Sequence, residues 1–322
     1  MHAFIMMAAD GWYTYTGRED EIIPRNATRV RIDESVSVIP AWAFEGNGNI
    51  EELDCHDRVK TVEEETFYWC RSLRRVIMPG VEVVENEAFI HCEALTDVEC
   101  GKLEIIGESA LYGCESLTSI NLPSAKIVEE DAFCDCHALT NIVFGKELES
   151  IEGLAFFRCT SLERIAIPLK DVIITDDDIF SGCKNLKHVD LVEGELHETI
   201  DALLWEEWKN DMNEEMLSIN QILPTTPAGD GAFGDVGGNA QTVRRWIRAV
   251  LHKIIQYKAQ HQHVLEEAAA TLQLQVALPQ DIVIKNVLPF LELPSYTFEV
   301  GDHEDEEDDS EEEEEDDDES SY

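Results

Sequence analysis

Positive charge is scarce in this chain of 322 residues: 24 Lys and Arg stand against 68 Asp and Glu, a net charge of −44. That balance argues against nucleic acid and anionic lipid as partners, because affinity for polyanions comes from Lys and Arg displacing counterions. A basic protein is the easier partner. Long apolar runs are also missing: none reaches the roughly 18–20 residues a membrane helix needs. The start, MHAFIMMAAD, is largely apolar but has no basic leader and is interrupted by Asp10, so no signal peptide is predicted. Nine Cys without a leader then point to reduced thiols in the cytoplasm or nucleus.

Chemical motifs are equally sparse. There is no nucleophile–base pair, no metal quartet and no phosphate loop in context, so no enzyme and no cofactor are expected. Gly229, Gly231 and Gly234 spell G-x-G-x-x-G. The nucleotide motif needs a strand before it, whereas here a helical pattern and two prolines precede it, so the stretch reads as a linker. Sixteen acids fall between Asp302 and Glu319 without one Lys or Arg. Residues 301–322 are therefore expected to form a disordered acidic tail, in which Ser310, Ser320 and Ser321 are possible sites of acid-directed phosphorylation. Removing those sixteen charges still leaves −28 on the rest of the chain.

What the chain has in abundance is a period. Phe44, Phe67, Phe89, Leu111, Phe133, Phe156 and Phe180 follow one another at steps of 22–24 residues. Three residues after each landmark come Asn47, Cys70, Cys92, Cys114, Cys136, Cys159 and Cys183. Six after come Ile50, Leu73, Leu95, Leu117, Leu139, Leu162 and Leu186, and nine after come Leu53, Val76, Val98, Ile120, Ile142, Ile165 and Val189. One such unit cannot bury its own apolar face, but stacked neighbours can, so the array predicts a solenoid. Within a unit, LTSINLP alternates Ile120 and Leu122 inward with Ser119 and Asn121 outward, a strand pattern. AKIVEE reads as a second short strand. EDAFCDC reads as one helical turn with acids at its positive end.

The stretch CDCH, Cys134 to His137, poses a choice between a metal site and wall material. Cys136 belongs to the thiol column and is expected to be buried, as free Cys commonly is. Cys134 and His137 lie between core positions and are expected to face outward. Zinc sites want paired ligand motifs, and only one copy reads C-x-C-H, which argues against a metal.

The pattern IPxxAFxxCxxLxxIxLP resembles the BspA-like leucine-rich repeats, of the kind expanded in diatoms. The later segments, including RRWIRAVLHKIIQYKAQHQHVLEEAAATLQ, look like the C-terminal region of a diatom expansion of that family. The resemblance implies an α/β fold: a right-handed leucine-rich-repeat solenoid of about seven repeats, then a helical region and the acidic tail. It also implies a protein-interaction scaffold, and supplies no catalytic residues.

The expected organisation is an N-terminal cap over 1–27, the solenoid over 28–197, a capping helix over 198–223 and a Gly-rich linker over 224–239. A helical region over 240–300 precedes the tail. Ile200, Leu204, Trp208, Met212, Met216, Ile219 and Leu223 recur at helical spacing. A second helix over 241–274 carries Arg244, Arg245, Arg248, Lys253 and Lys258, and is expected to pair with the first. Its basic patch is expected to meet acidic surface of the solenoid or the tail. His261, His263 and Glu267 are read as solvated surface, and Trp205 and Trp208 as packing. Leu278 to Leu293 resembles the opening of an F-box, the helix that docks ubiquitin-ligase adaptors.

The leading expectation for function is a non-enzymatic scaffold that binds a protein partner through the solenoid surface. Candidate binding residues are the outward positions of the first strand in each repeat. One column holds Glu52, Arg75, Asp97, Ser119, Asn141, Arg164 and His188; the next holds Asp54, Glu99, Asn121 and Asp190. The alternatives are an acidic-tailed binder or chaperone of basic proteins such as histones, and an F-box-like substrate receptor.

Overall fold

The computed structural model describes residues 11–18, 21–192, 200–203, 205–226 and 238–276. The glycines of the linker motif, the F-box-like segment and the acidic tail with its three serines lie outside them.

Short strands follow in chain order: β1 (Tyr13–Tyr15), β2 (Arg29–Ile32), β3 (Val38–Ile39), β4 (Glu52–Asp54), β5 (Thr61–Val62), β6 (Arg75–Ile77), β7 (Val83–Val84), β8 (Asp97–Glu99), β9 (Ile105–Ile106), β10 (Ser119–Leu122), β11 (Ile127–Val128), β12 (Asn141–Phe144), β13 (Ser150–Ile151), β14 (Arg164–Ile167) and β15 (His188–Leu191). No described strand exceeds four residues, too few to persist alone. Each pairs in parallel with its counterpart one coil away. One wall runs β3-β5-β7-β9-β11-β13. The opposing wall is two sheets, β1-β2-β4-β6-β8 and β10-β12-β14-β15, with a seam between β8 and β10. Val98, beside that seam, is only half-buried, although its equivalents Leu53, Val76, Ile120 and Ile142 are buried.

The landmarks stand in single file inside the coil. Phe44 and Phe67 stack at 4.8 Å, Phe67 and Phe89 at 5.0 Å, Phe133 and Phe156 at 5.4 Å, and Phe156 and Phe180 at 5.7 Å. Leu111 keeps the file apolar where a ring is missing and is itself buried. Shared burial along this file is what makes the array one cooperative body.

The corner around each landmark is not the helical turn its acids suggested. Glu65, Trp69, Glu87, His91, Asp131, Asp135, Leu154 and Arg158 all have φ between 51° and 59°, a region costly for residues other than glycine. These residues sit two before and two after the landmark. The left-handed steps aim alternate amides at the next coil: Asp131 N–H donates to Gly153 O at 3.2 Å, Phe133 to Ala155 O at 2.8 Å, and Asp135 to Phe157 O at 2.9 Å. The intervening amides bond three residues back, as Cys134 does to Asp131 O. Where the last spacing lengthens, the Asp178 carboxylate takes the Leu154 N–H at 3.1 Å. Hydrogen bonding between coils thus offsets the backbone cost.

Beyond the coils, α1 (Glu206–Ile222) and α2 (Asn239–Val276) form an antiparallel pair. Trp246 Nε1 donates to Glu215 O at 2.9 Å, and further along α2 Tyr257 donates to the Asp211 carboxylate, so the partners run in opposite order. α1 covers the last coil: its Asn220 Oδ1 accepts the Val189 N–H at 3.0 Å, and Met212 and Ile219 are buried. The helix starts later than its apolar spacing suggested, although Ile200 and Leu203 are buried. The basic patch of α2 does meet the solenoid. Arg244 pairs with Asp177 at 2.6 Å and Arg248 with Asp171 at 2.9 Å, while Lys253 turns to Asp211 and Glu215 of α1.

Candidate partner-binding surface

Parallel pairing sets the outward side chains of the split wall in columns, as the repeat spacing requires. Glu52, Arg75 and Asp97 are partners in register, as are Ser119, Asn141, Arg164 and His188. In the second column Asp54 leads through Ile77 to Glu99, and Asn121 leads through Val143 and Ala166 to Asp190. The seam divides both columns, so the eleven candidate residues form two patches rather than one stripe.

Much of the charge in these columns is satisfied between neighbouring coils. Arg31 reaches Asp54 at 3.2 Å, Arg75 reaches Asp97 at 3.0 Å and Glu99 at 2.7 Å, and Arg164 reaches Asp190 at 2.8 Å. Exposed pairs of this kind are each worth only about 0–1 kcal/mol, so they remain exchangeable with a partner's charges.

The thiol column lies inside and does structural work. Cys70, Cys92, Cys114, Cys136, Cys159 and Cys183 are buried, and each Sγ–H donates to a landmark carbonyl one coil earlier. The distances are 3.0 Å to Phe44 O, 3.3 Å to Phe67 O, 3.4 Å to Phe89 O, 3.2 Å to Leu111 O, 3.1 Å to Phe133 O and 3.0 Å to Phe156 O. Burial pushes these thiols up, Cys70 to about 12 and Cys136 well above its ordinary value. All nine cysteines are free and buried.

Two expectations fail here. Cys134 is covered, 3% exposed, although it lies outside the core cluster that holds the column cysteines. His261 is buried too, whereas His263 and Glu267 are exposed and 3.5 Å apart on α2. His137 does face outward, with Nδ1 against Arg158 O at 3.1 Å. Among the described residues no group of three His, Cys, Asp or Glu side chains could hold a metal ion.

The corner also carries an aromatic line that the column logic missed. Tyr68 stacks on Trp69 at 6.0 Å; Trp69 meets His91 edge-on at 5.6 Å, and His91 meets Tyr112 edge-on at 5.5 Å. Trp69 remains 42% exposed. Gly113, at φ 68°, makes room for the line: a Cβ there would lie 2.5 Å from His91 Nδ1. The sequence signal was that glycine, standing where the two preceding coils have Trp69 and His91. At the other end of the molecule Trp205 stacks on Trp208 at 5.3 Å, and Trp208 on Tyr257 at 5.1 Å, which joins the two helices.

Comparison with known proteins agrees with this architecture. The family model for the BspA type leucine rich repeat region matches in six copies, over residues 24–115 and 104–207. No curated protein matches the chain. Among solved structures, a leucine-rich repeat protein from Bacteroides ovatus is 22% identical, with a TM-score of 0.31, over 52% of this chain and 61% of that one. The T. pallidum leucine rich repeat protein is 18% identical, with a TM-score of 0.36, over 61% of this chain and 84% of that one. The pneumococcal vaccine antigen PcpA is 17% identical, with a TM-score of 0.40, over 52% of this chain and 50% of that one. The chain thus spans less than two thirds of the Bacteroides protein and half of PcpA.

Proposed function

We propose that this chain, which belongs to the BspA type leucine-rich repeat family, is a non-enzymatic scaffold that binds a protein partner through its solenoid surface. Proteins built of such repeats generally act as interaction scaffolds, and the stack explains why. Each coil adds another row of outward side chains without altering the core, so surface can vary while the interior is held. The observation that carries the reading is the in-register columns of the split wall, which mix charge, amide and small apolar groups on one face. In this reading residues 28–197 do the binding and residues 198–223 close the last coil.

A basic partner is the second reading, and one observation favours it. Among the described residues, no Lys or Arg pairs with Glu64, Glu65, Glu87, Glu108, Glu130 or Asp131 along the corner. Histones are one class of such partner. No described helix is long and apolar enough to cross a membrane.

The test is carboxylate-reactive cross-linking of the full chain to its captured partner. Cross-links from solenoid carboxylates such as Glu52, Asp97 and Asp190 are expected. Cross-links confined to the helical pair or to residues 301–322 would overturn the reading.

A further inference from the structure

The aromatic line at the corner differs in kind from the charged wall. A row of rings at the surface, Trp69 exposed and Tyr68, His91 and Tyr112 half-buried, on a protein whose core is already filled, marks a recognition surface. Tyr68, Trp69, His91 and Tyr112 run along the stack, so whatever covers them crosses the coils instead of following one. From Trp69 to Tyr112 there are two steps, of 5.6 and 5.5 Å. About three to four residues of extended chain cover that length.

The surroundings select the occupant. Two or three residues before Phe67, Phe89 and Leu111, at the start of the same corners, stand Glu64, Glu65, Glu87 and Glu108. These acids crowd each other: burial, then Glu65, Glu64 and Glu108, holds the Glu87 carboxyl above its ordinary value. Arg71 lies over the Trp69 ring at 4.4 Å while its Nε reaches Glu93 at 3.2 Å. A guanidinium on a ring with a carboxylate behind it is therefore already formed once within the line. The same arrangement recurs where Arg31 lies 4.9 Å from the Trp12 ring and pairs with Asp54. Two of the chain's own arginines on α2 are engaged elsewhere, Arg244 with Asp177 and Arg248 with Asp171. The acidic segment 302–319 would be repelled by the corner carboxylates.

We propose that the line Tyr68–Trp69–His91–Tyr112 is the docking surface for an extended, arginine-bearing segment of a protein partner. Its guanidinium groups lie on the rings and against the corner acids. The proposal rests on the scaffold reading and specifies where the partner sits and what chemistry it presents. Arginine is favoured over lysine because its planar group stacks on a ring while still bonding a carboxylate.

The probe is a ten-residue peptide of alternating Arg and Gly with a photoreactive benzophenone at one end, added to the full chain. Cross-links mapped by mass spectrometry are expected within the corner stretches 64–71, 87–93 and 108–113, with residues 302–319 as a separate, salt-sensitive set. Trp69→Asn, which keeps a side chain tolerant of the left-handed backbone, should weaken the corner set about tenfold. Glu65→Gln/Glu87→Gln leaves the rings in place, and should weaken it severalfold and flatten its salt dependence. Thermal melts confirm that both variants are folded. Glu214→Gln, exposed on α1 away from the coils, should change nothing. Cross-links only to residues 302–319, or a corner set unmoved by both variants, overturn the docking surface. If the captured partner links through wall carboxylates such as Glu52, Asp97 and Asp190 but not through Glu65, Glu87 or Glu108 at the corner, the docking surface falls and the scaffold reading stands. If it links nowhere on the solenoid, both fall.

Discussion

The Cys136 thiol donates to the carbonyl oxygen of Leu111, 3.2 Å away and one coil earlier, where the Cys114 N–H also donates at 3.2 Å. One oxygen therefore ties two successive coils, and the sulfur is wall material held by a weak directional bond. With the thiols buried and pushed above their ordinary range, little thiolate exists at neutral pH. The folded chain should resist Ellman's reagent, and all nine thiols should titrate once it is unfolded in guanidinium. Rapid labelling of the native protein at column cysteines would contradict this.

Phe133 is buried, and its ring stacks on that of Phe156. Phe133→Ala should cost about 3–5 kcal/mol, the range for deleting a large core ring. Urea unfolding of the full chain, followed by near-ultraviolet dichroism, measures it. A change below about 1 kcal/mol would mean that the file does not carry the fold.

Among the described glycines, Gly145 leaves the least room for a Cβ. A Cβ there would lie 1.8 Å from the carbonyl oxygen of Pro123, a backbone atom with no room to yield. Gly145→Ala should destabilise by about 1–3 kcal/mol or more, as overpacking does. Gly48→Ala, which meets nothing within 4 Å, is the control and should change stability by less than about 0.5 kcal/mol.

Glu87 and Glu152 are held above the ordinary carboxyl range, by burial first and then by neighbouring acids. The folded chain therefore keeps these protons to higher pH than the unfolded chain does. The penalty is absent below the unfolded carboxyl value, grows as pH rises through the window up to the raised folded value, and is complete above it. Glu87→Gln/Glu152→Gln should raise the melting temperature at pH 7, and the gain should vanish near about pH 4, where unfolded carboxyls protonate. A gain that persists at low pH would point to a cause other than charge.

The period was legible because a stacked core repeats its demands: Phe44 to Phe180, the cysteine column and the Leu and Ile columns each answer the same cavity. The corner was not legible. Trp69, Leu154 and Arg158 adopt left-handed backbone that their side chains do not favour, and the cause is a hydrogen bond to a residue one coil away. No local signal announces that. Placing Cys134 between core positions left it exposed in that reading, whereas it is covered in the fold. The aromatic line escaped for a related reason. Tyr112 occupies a different repeat position from Trp69 and His91, so the rings meet in space without sharing a column.

The seam between β8 and β10 gives the molecule a mechanical character. One wall runs unbroken from β3 to β13 while its opposite parts between the coils of Phe89 and Leu111, so the stack resembles a strip of card scored on one side. Bending is easiest about that score, with the intact wall as the hinge line. Loads along the rod, whether from a tether or from a partner gripping both halves, should concentrate at Val98 and Ile120, leaving the coils on either side to move as stiff blocks.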